Sequence, residues 1–500
     1  MNSSHHAVTD AGRDPAASAG AATAPDHADH DLAPFFAALE RTGEHIRTRA
    51  ERIPLDELRQ WRTDPASGAL RHSSGKFYTI QGVAVSVFAP GGEQHWHQPI
   101  IAQPEIGILG VLVKRVDGVL HCLAQLKDEP GNINGLQVSP TVQATRSNYT
   151  RVHGGSRVPY LEWFQEHGRH AVVTDVRQSE QGSRFLHKRN RNMVVEAQGE
   201  VAEREGFHWL TVPQLHRLLR RDDLVNMDAR SVLSCLPFPD LVGDLDGGDG
   251  EDLAACAVRS WRGDGETSRS ATELLSWITE LRTQTHVEVR EAPLGGLPHW
   301  RFDGDTVSHE DGRFFDVIGV RVEARGREVA GWDQPMVAAR QVGLAAFLVR
   351  RVDGALQVLV GIRAEPGFTD VLELGPTVQC SPADHASSGA PAPPFLDAVL
   401  GAAPARVRYD VTLSEEGGRF FRTRNRYLIV ETAPGDTAAD IGGRAEDHPG
   451  SPAAGPVGFR WVTLHQLTGL TRHSHYLSME GRTLLAALAT LTTTAEELPA

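Results

Sequence analysis

The clearest pattern along the chain is a pair of apolar runs joined by a tight turn. Residues 108–113 and 119–126 are largely apolar, and Asp117 and Gly118 lie between them. An Asp-Gly pair between two strand-like runs is typical of a β-hairpin with a two-residue turn. The pattern therefore predicts two antiparallel strands in this region.

The second half of the chain repeats this pattern. Its hairpin around Asp353 and Gly354 lies within a gap-free match of residues 96–143 to residues 332–379. The shorter repeated motifs are Pro-Leu-x-x-Leu-x-x-Trp at 54–61 and 293–300, Ser-Glu-x-Gly-x-Arg-Phe at 179–185 and 414–420, and Arg-Asn-Arg at 189–191 and 424–426. The chain is therefore an internal duplication, and its length predicts two similar domains that each bury a core.

Further elements flank the hairpin in each half. Residues 192–196 and 427–431 are short apolar runs, which predict another strand in each copy. Residues 211–219 and 463–470 have helical apolar spacing, and Thr211 is a suitable N-cap for the first of these helices. This mixture predicts an α+β fold with mixed sheets flanked by helices.

Polar and glycine-rich stretches divide the chain. We predict a disordered tail at 1–33, a first repeat at 34–236, a linker at 237–269 and a second repeat at 270–490. The tail has no apolar segment typical of a signal peptide, and the linker contains an acidic, glycine-rich string at 243–252. Residues 434–456 are expected to form a surface loop of the second repeat.

Composition narrows the classes of partner. The 500 residues carry a net charge of -14, which disfavours a nucleic-acid partner. No apolar run approaches the ~20 residues of a membrane helix, so we expect no membrane association and a cytoplasmic location. The four cysteines lie far apart, and neither a dinucleotide-binding nor a P-loop motif is present, so we expect no metal and no cofactor.

Several long strings resemble the NDP-hexose 2,3-dehydratases of deoxysugar biosynthesis. They are residues 103–107, 129–134, 139–155, 179–185, 189–192 and 226–235. The resemblance covers residues 34–490 and implies two tandem Nudix-like domains in a homodimer. It also implies a dTDP-4-keto-6-deoxyglucose substrate, a downstream 3-ketoreductase in antibiotic biosynthesis, and chemistry in only one of two sugar-nucleotide pockets.

A Nudix hydrolase would require a glutamate-rich helix to hold its divalent cations. The residues after Glu129 and Glu365, which begin the two Glu-Pro-Gly strings, do not contain that motif. The scaffold is therefore expected to bind a nucleoside diphosphate sugar without cleaving its pyrophosphate. A Nudix-type NDP-sugar hydrolase and a non-catalytic sugar-nucleotide-binding module are the alternatives.

Loss of water across C2 and C3 of a 4-keto sugar requires a base at C3, an acid at the C2 hydroxyl and donors near O4. Residues 148–155 include Tyr149, Arg151 and His153, whereas residues 384–391 in the second copy are mostly small. We therefore predict that the first repeat is the working site. Its predicted proton-transfer groups are Tyr149 and His153, with Glu129 or Glu196 as the base.

The polar residues shared by both copies are expected to serve binding. The predicted substrate-binding residues are Trp96, Gln98, Gln143, Arg151, Arg184, Arg189, Asn190 and Arg191. The three shared arginines with Asn190 suit a pyrophosphate, and a salt-bridged strand edge is the alternative. Trp96 suits either base stacking or a core position. Because Glu129 and Glu196 recur as Glu365 and Glu431, a structural or ligand-positioning role is the alternative for both.

Overall fold

The structure is a computed structural model that describes most of the chain. The described residues are 31–90, 92–145, 158–165, 170–238, 252–263, 271–326, 329–388, 392–433 and 458–492. The predicted tail up to residue 30, the predicted surface loop at 434–456 and the predicted catalytic segment at 148–155 lie outside them. Among the described helices, none is both long and apolar enough to cross a membrane.

Strands and helices alternate irregularly along both halves. The strands of the first half are β1 (Arg47–Ile53), β2 (Trp61–Thr63), β3 (Leu70–His72), β4 (Thr79–Ala89), β5 (Gly92–Ala102), β6 (Gly107–Val116), β7 (Val119–Asp128), β8 (Leu136–Ser139), β9 (Val142–Ala144), β10 (Ala171–Ser179), β11 (Phe185–Leu186), β12 (Arg189–Glu196) and β13 (Phe207–Thr211). Those of the second half are β14 (His286–Ala292), β15 (Trp300–Phe302), β16 (Thr306–His309), β17 (Phe315–Arg325), β18 (Gly331–Ala339), β19 (Gly343–Val352), β20 (Ala355–Arg363), β21 (Glu373–Gly375), β22 (Val378–Cys380), β23 (Val407–Ser414), β24 (Arg424–Glu431) and β25 (Phe459–Thr463).

The helices are fewer and mostly short. They are α1 (Ala33–His45), α2 (Glu162–Gln165), α3 (Val212–Leu218), α4 (Met227–Leu233), α5 (Leu253–Arg262), α6 (Ala271–Gln284), α7 (Pro382–Ser388), α8 (Leu396–Leu400), α9 (Leu464–Thr471) and α10 (Met479–Ala489). Single 3-10 turns occur at Leu55–Glu57, Leu294–Gly296, Pro404–Arg406 and Thr490–Thr492. The predicted α+β class is confirmed.

The predicted hairpin is confirmed as β6 and β7, which pair antiparallel around a turn where Asp117 and Gly118 have φ of 49° and 85°. These two strands pair with each other only near the turn. Further on they separate, and β9 pairs with β6 while β8 pairs with β7. Thr141 closes the fork, because its hydroxyl accepts from the Leu112 N–H at 2.9 Å and donates to the Leu123 carbonyl.

The large sheet of the second half has the same plan. Its strand order β23-β24-β19-β20-β25 matches β10-β12-β6-β7-β13 of the first half, with β22 and β21 in the places of β9 and β8. Thr377 closes this second fork, accepting from the Leu348 N–H at 3.0 Å and donating to the Leu359 carbonyl. The duplication read from the sequence is therefore present in the topology.

The two smaller sheets exchange their first strands. Strand β1 of the first half pairs with β17 of the second, and β14 of the second half pairs with β4 of the first. The repeated Pro-Leu-x-x-Leu-x-x-Trp motif supports this exchange. The Trp61 indole N–H donates to the Asp333 carbonyl at 2.8 Å, and the Trp300 indole N–H donates to the His97 carbonyl at 2.8 Å.

Each copy buries one apolar cluster of its own, around Phe164 in the first half and Phe395 in the second, but a larger cluster is shared between the halves. The shared cluster contains Val111 and Val194 of the first large sheet together with Phe347 and Ile429 of the second. Helix α10 contributes to this cluster, and all of its 11 residues are buried. Each sheet leaves one apolar face that the other half and its helices cover, so burial is complete only when the halves pack together.

Part of the predicted linker also belongs to this core. Helix α5 lies within 237–269, begins at an Asp252 N-cap and ends at Gly263, whose φ is 83°. Its residues Cys256, Ala257 and Trp261 are buried in the shared cluster. Apolar residues at this helical spacing form a stripe on one face of the helix, and such a stripe packs against a core. In the sequence, the acidic string before the helix made this whole region resemble a linker.

Candidate active site at the contact of the two halves

Two matching loops cross between the halves. The first loop, residues 179–188, contacts the Glu-Pro-Gly turn of the second half, and the second loop, residues 414–423, contacts that of the first. The Gly131 N–H donates to the Gly417 carbonyl at 2.7 Å, and the Gly367 N–H donates to the Gly182 carbonyl at 2.8 Å. A Cβ on Gly131 or Gly367 would lie 1.7 Å from a loop carbonyl oxygen, so both turns require glycine.

Each crossing creates a polar site built from both halves. We call the site around Glu129, completed by the second loop, site 1. We call the site around Glu365, completed by the first loop, site 2.

The repeated Trp-x-Gln motifs fix both loops to their own halves. Gln98 accepts from the Trp96 indole at 2.8 Å and donates to the Ser183 carbonyl at 2.7 Å. Trp332 and Gln334 repeat this arrangement at 2.9 and 2.7 Å, ending on the Gly418 carbonyl.

The first half supplies a hydrogen-bonded chain to site 1. Lys127 Nζ lies 3.0 Å from Glu129 Oε1, and Gln143 Nε2 donates to the same carboxylate at 3.1 Å. Asn226, the N-cap of α4, donates to Gln143 Oε1 at 3.4 Å. Gln143 lies in β9, which pairs with β6 where β6 and β7 separate. This position brings Gln143 close to Glu129, which follows β7.

Three buried carboxyl groups in and beside site 1, those of Asp228, Glu416 and Glu180, each have one oxygen without a hydrogen-bond partner among the described residues. Asp228, in the first turn of α4, is 3% exposed, and its Oδ1 has no hydrogen-bond partner among the described residues. Glu416 Oε2 is buried and likewise has none there. Burial and the neighbouring Glu129 raise the pKa of Glu416 to about 7. Burial, followed by the charges of Glu180, Glu416 and Glu129, raises the pKa of Asp228 well above its usual range.

Cationic groups surround these acids. The Arg419 guanidinium of the second loop stacks 4.2 Å from the centre of the Tyr78 ring, and its Nε donates to Gln103 Oε1 at 3.3 Å. Lys188 of the first loop is buried and donates to the Glu105 carbonyl, and burial lowers its pKa. Site 1 therefore combines buried acids with two cations suited to an anionic ligand.

Site 2 has the same plan with different side chains. Arg184 takes the place of Arg419, stacking 4.2 Å from the centre of the Phe315 ring, and Arg363 lies 3.9 Å from Glu365. The position of Glu416 is occupied by Gln181, and that of Lys188 by Thr423. Burial and the charges of Glu365 and Glu415 raise the pKa of Glu480, the counterpart of Asp228, to about 8.

The sequence matches a known family across both halves. A family model described as NDP-hexose 2,3-dehydratase matches residues 32–236 and 271–488. The chain belongs to the NDP-hexose 2,3-dehydratase family.

Three curated relatives are each named dTDP-4-dehydro-6-deoxy-alpha-D-glucopyranose 2,3-dehydratase. The one from Saccharopolyspora spinosa is 46% identical, covering 90% of both chains; the one from Amycolatopsis orientalis is 44% identical, covering 88% of this chain and 86% of its own; and the one from Streptomyces violaceoruber is 46% identical, covering 92% and 98%.

In this family member, the predicted arginine cluster is not assembled. Arg191 forms a two-contact ion pair with Asp175 at 2.7 and 2.5 Å, which is the strand-edge alternative. Arg184 belongs to site 2, where its charge acts on Glu365. Arg189 Nε is buried without a partner among the described residues. In the second half, burial of His475 and then the charge of Arg189 lower the pKa of His475 to about 4. Asn190, on the other face of β12, donates to Glu180.

Other predicted residues fall in four groups. Glu129 and Gln143 meet in site 1 as described above. Glu196 pairs with Val113 at the far end of β12. Six residues separate it from Asn190, so the two residues lie roughly 20 Å apart along the strand. Trp96 packs partly buried against an apolar cluster, which is the core alternative, and its indole N–H donates to Gln98. Tyr149, Arg151 and His153 lie outside the described residues.

Sequence reasoning missed Asp228, Glu416, Arg419 and Lys188. Asp228 lies within the string 226–235 that carries the family resemblance. Glu416 and Lys188 occupy positions at which the two crossing loops differ, so a residue-by-residue comparison of these loops contained the signal. Within the described ranges, no group of three or more His, Cys, Asp or Glu side chains is arranged to hold a metal ion.

Proposed function

We propose that this chain dehydrates dTDP-4-keto-6-deoxy-D-glucose across C2 and C3, forming a dTDP-3,4-diketo-2,6-dideoxyhexose for deoxysugar biosynthesis. The observation that carries the proposal is the match to three relatives named as 2,3-dehydratases at 44–46% identity. The match spans both halves and most of each relative. The composite polar site supports the proposal, because elimination needs a general base and a general acid, and carboxyl groups in different surroundings can supply both.

The reaction follows from the position of the ketone. The C4 carbonyl acidifies the C3 hydrogen, and a base removes it to give an enolate with charge on O4. As the carbonyl re-forms, a C2–C3 double bond develops and the C2 hydroxyl leaves as water. The resulting enol gains a proton at C2 and loses one from the C3 oxygen, which yields the diketone. This sequence is redox neutral, so we propose that it uses no redox cofactor.

We propose site 1 as the working site and Glu129 as its base. The ammonium of Lys127, 3.0 Å away, supports this role because it stabilises the carboxylate form of Glu129. Tyr149 and His153 remain proposed proton-transfer groups, and Arg151 a proposed substrate contact. Gln143 and Arg419 are proposed to contact the sugar nucleotide, with Arg419 in the role that the sequence alone suggested for Arg184. Site 2 is proposed to be vestigial.

The test is mass spectrometry of dTDP-4-keto-6-deoxyglucose incubated with the purified protein, coupled to a 3-ketoreductase and NADPH to trap the unstable diketone. A product that has lost one water and gained the two hydrogens of the reduction supports dehydration. Unchanged substrate that binds without turnover favours the non-catalytic module, and release of dTMP favours the Nudix-type hydrolase. Either of these outcomes would overturn the proposal.

Three further properties are proposed on the family resemblance. The forked sheets of the two halves support a pair of Nudix-like modules, which superposition of an experimental structure on Nudix hydrolases would test. A homodimer would appear in light scattering at twice the 54.4 kDa chain mass. A cytoplasmic location would be tested by cell fractionation.

A further inference from the structure

We propose that Glu416, a residue of the second half, protonates the departing C2 hydroxyl in site 1 while Glu129 acts as the base. The inference rests on the proposed function and adds the acid that the elimination needs. It also makes the active site a product of both copies of the duplication.

The second loop places Glu416 beside Glu129. Gly417 follows Glu416 directly, and its carbonyl accepts from the Gly131 N–H at 2.7 Å within the Glu-Pro-Gly turn that starts at Glu129. A Cβ added to Gly417 would lie 2.9 Å from Glu129 Cβ, so the loop backbone packs directly against the stem of that side chain. The two carboxyl groups therefore come from opposite halves and adjacent backbones.

The surroundings of the two carboxyl groups differ. Glu129 forms an ion pair with Lys127, whose Nζ lies 3.0 Å from Glu129 Oε1. On Glu416, Oε1 accepts from the Gly418 N–H at 2.9 Å, while Oε2 is buried without a partner among the described residues. The other charged groups near Glu416 are Arg419, Glu180, Lys127 and Asp228. Burial and Glu129 raise the pKa of Glu416 to about 7, so a large fraction is protonated near neutral pH.

Exposure distinguishes Glu416 from the other acids with an unpartnered oxygen. Asp228 and Glu180 are 3% and 4% exposed, whereas Glu416 is partly exposed as a residue, although its Oε2 is buried. Site 2 supplies an internal comparison. There Gln181 replaces Glu416, and its amide donates to Glu415. Site 2 therefore retains a glutamate at the base position but has no acid at the position of Glu416.

The protons balance over one turnover. Glu129 takes the C3 proton, and the enolate electrons re-form the C4 carbonyl while the C2–C3 double bond forms. The C2–O bond breaks, and its oxygen leaves as water with the Glu416 proton. On ketonisation, C2 receives the proton held by Glu129, and the C3 hydroxyl returns one to Glu416. Both carboxyl groups thereby regain their starting states.

The experiment uses Glu416→Gln to separate removal of the C3 proton from protonation of the departing C2 hydroxyl. Glutamine suits this position, because the equivalent position 181 is glutamine. Substrate is incubated in D2O with the wild type, Glu416→Gln, Glu129→Gln and the exposed-surface control Glu280→Gln. Deuterium at C3 and trapped dehydrated product are quantified together. Thermal unfolding and dTDP binding are measured for each variant.

We expect Glu416→Gln to lose about 10²- to 10⁴-fold in dehydration and to retain C3 exchange, because the base remains. Glu129→Gln should lose both, and Glu280→Gln neither. Wild-type dehydration by Glu416→Gln would overturn the inference, as would loss of C3 exchange in a variant that still binds dTDP. If Glu416→Gln does not fold, Glu416→Asp replaces it, and equal slowing of exchange and dehydration would then contradict the acid role. A wild type that does not dehydrate the substrate would instead refute the proposed function.

Discussion

Site 1 and site 2 use the same backbone plan, the same arginine-on-aromatic contact and a glutamate at the same position, yet several of their side chains differ. Site 1 has Glu416, Lys188 and Asp228 where site 2 has Gln181, Thr423 and Glu480. The shared features fix the loops and suit an anionic ligand. The differences concern groups that can carry a proton or a charge, so the comparison separates residues needed for assembly from residues proposed for chemistry.

The largest expected effect comes from removing the glutamate of each site. Glu129→Gln should reduce dehydration by about 10²- to 10⁴-fold, because the proposed base is lost while its shape is kept. Glu365→Gln, the matched change in site 2, should leave most of the activity. The measurement is the initial rate of trapped product. Equal losses in both variants would show that the two sites do not divide in the proposed way.

The next effect concerns the two stacked arginines. Arg419→Ala should weaken dTDP binding at site 1 by about 10- to 100-fold, which corresponds to the loss of a charge-assisted hydrogen bond. Arg184→Ala should have the smaller effect on the Michaelis constant, because Arg184 lies in site 2. Isothermal titration with dTDP and steady-state kinetics test this pair. A larger kinetic effect for Arg184→Ala would reverse the assignment of the sites.

The buried acids predict a particular dependence of stability on pH. Burial, Glu365 and Glu415 raise the pKa of Glu480 to about 8, with Arg363, Arg184 and Arg482 as the nearby cations. The folded state therefore keeps a proton that the unfolded chain releases near its ordinary pKa. The stability linked to this proton is fully present below that ordinary value and is lost as the pH rises through about 8.

The melting temperature of the wild type should accordingly fall between about pH 5 and about pH 8.5, and Glu480→Gln should flatten this fall. Asp228→Asn, the matched change in site 1, should act in the same direction, because burial also raises the pKa of Asp228. Differential scanning calorimetry across this range gives the slopes. Unchanged slopes in both variants would mean that these carboxyl groups are ionised in the folded protein.

The smallest expected effect tests the exchanged strands. Trp61→Phe and Trp300→Phe each remove one indole N–H that donates across the halves at 2.8 Å. Each should reduce the free energy of unfolding by about 0.5–1.5 kcal/mol, and the two losses should be similar. Urea denaturation measures both. Very unequal losses would indicate that the exchange stabilises one half much more than the other.

Local patterns predicted the local parts of this molecule. The Asp-Gly hairpins and the Thr211 N-cap were readable because a turn and a helix start are determined by neighbouring residues. The strand exchange was not readable. Strands β1 and β14 are copies of one another, so pairing within a half and pairing between halves satisfy the same local pattern.

The same ambiguity limited the predicted site. The contact between Glu129 and Gln143 could be anticipated because both residues lie in one half and meet through the fork. Arg184 lies beside Glu365 of the other half instead, because its loop crosses between the copies, and Arg419 occupies the equivalent place beside the first half. The pairing of Arg191 with Asp175 depends on the register of β10 against β12, which the sequence does not specify.

The crossing loops have a consequence for the history of the gene. A duplicated enzyme with two independent sites can lose its idle copy, because the other copy suffices. Here the second copy delivers residues 414–423 to site 1 and receives strand β1 in its own sheet. Deleting it would remove part of the remaining site and expose the edge of that sheet. Under the proposed division of the two sites, the second half is retained because it supplies the second loop to site 1, so selection can act on it without turnover in site 2.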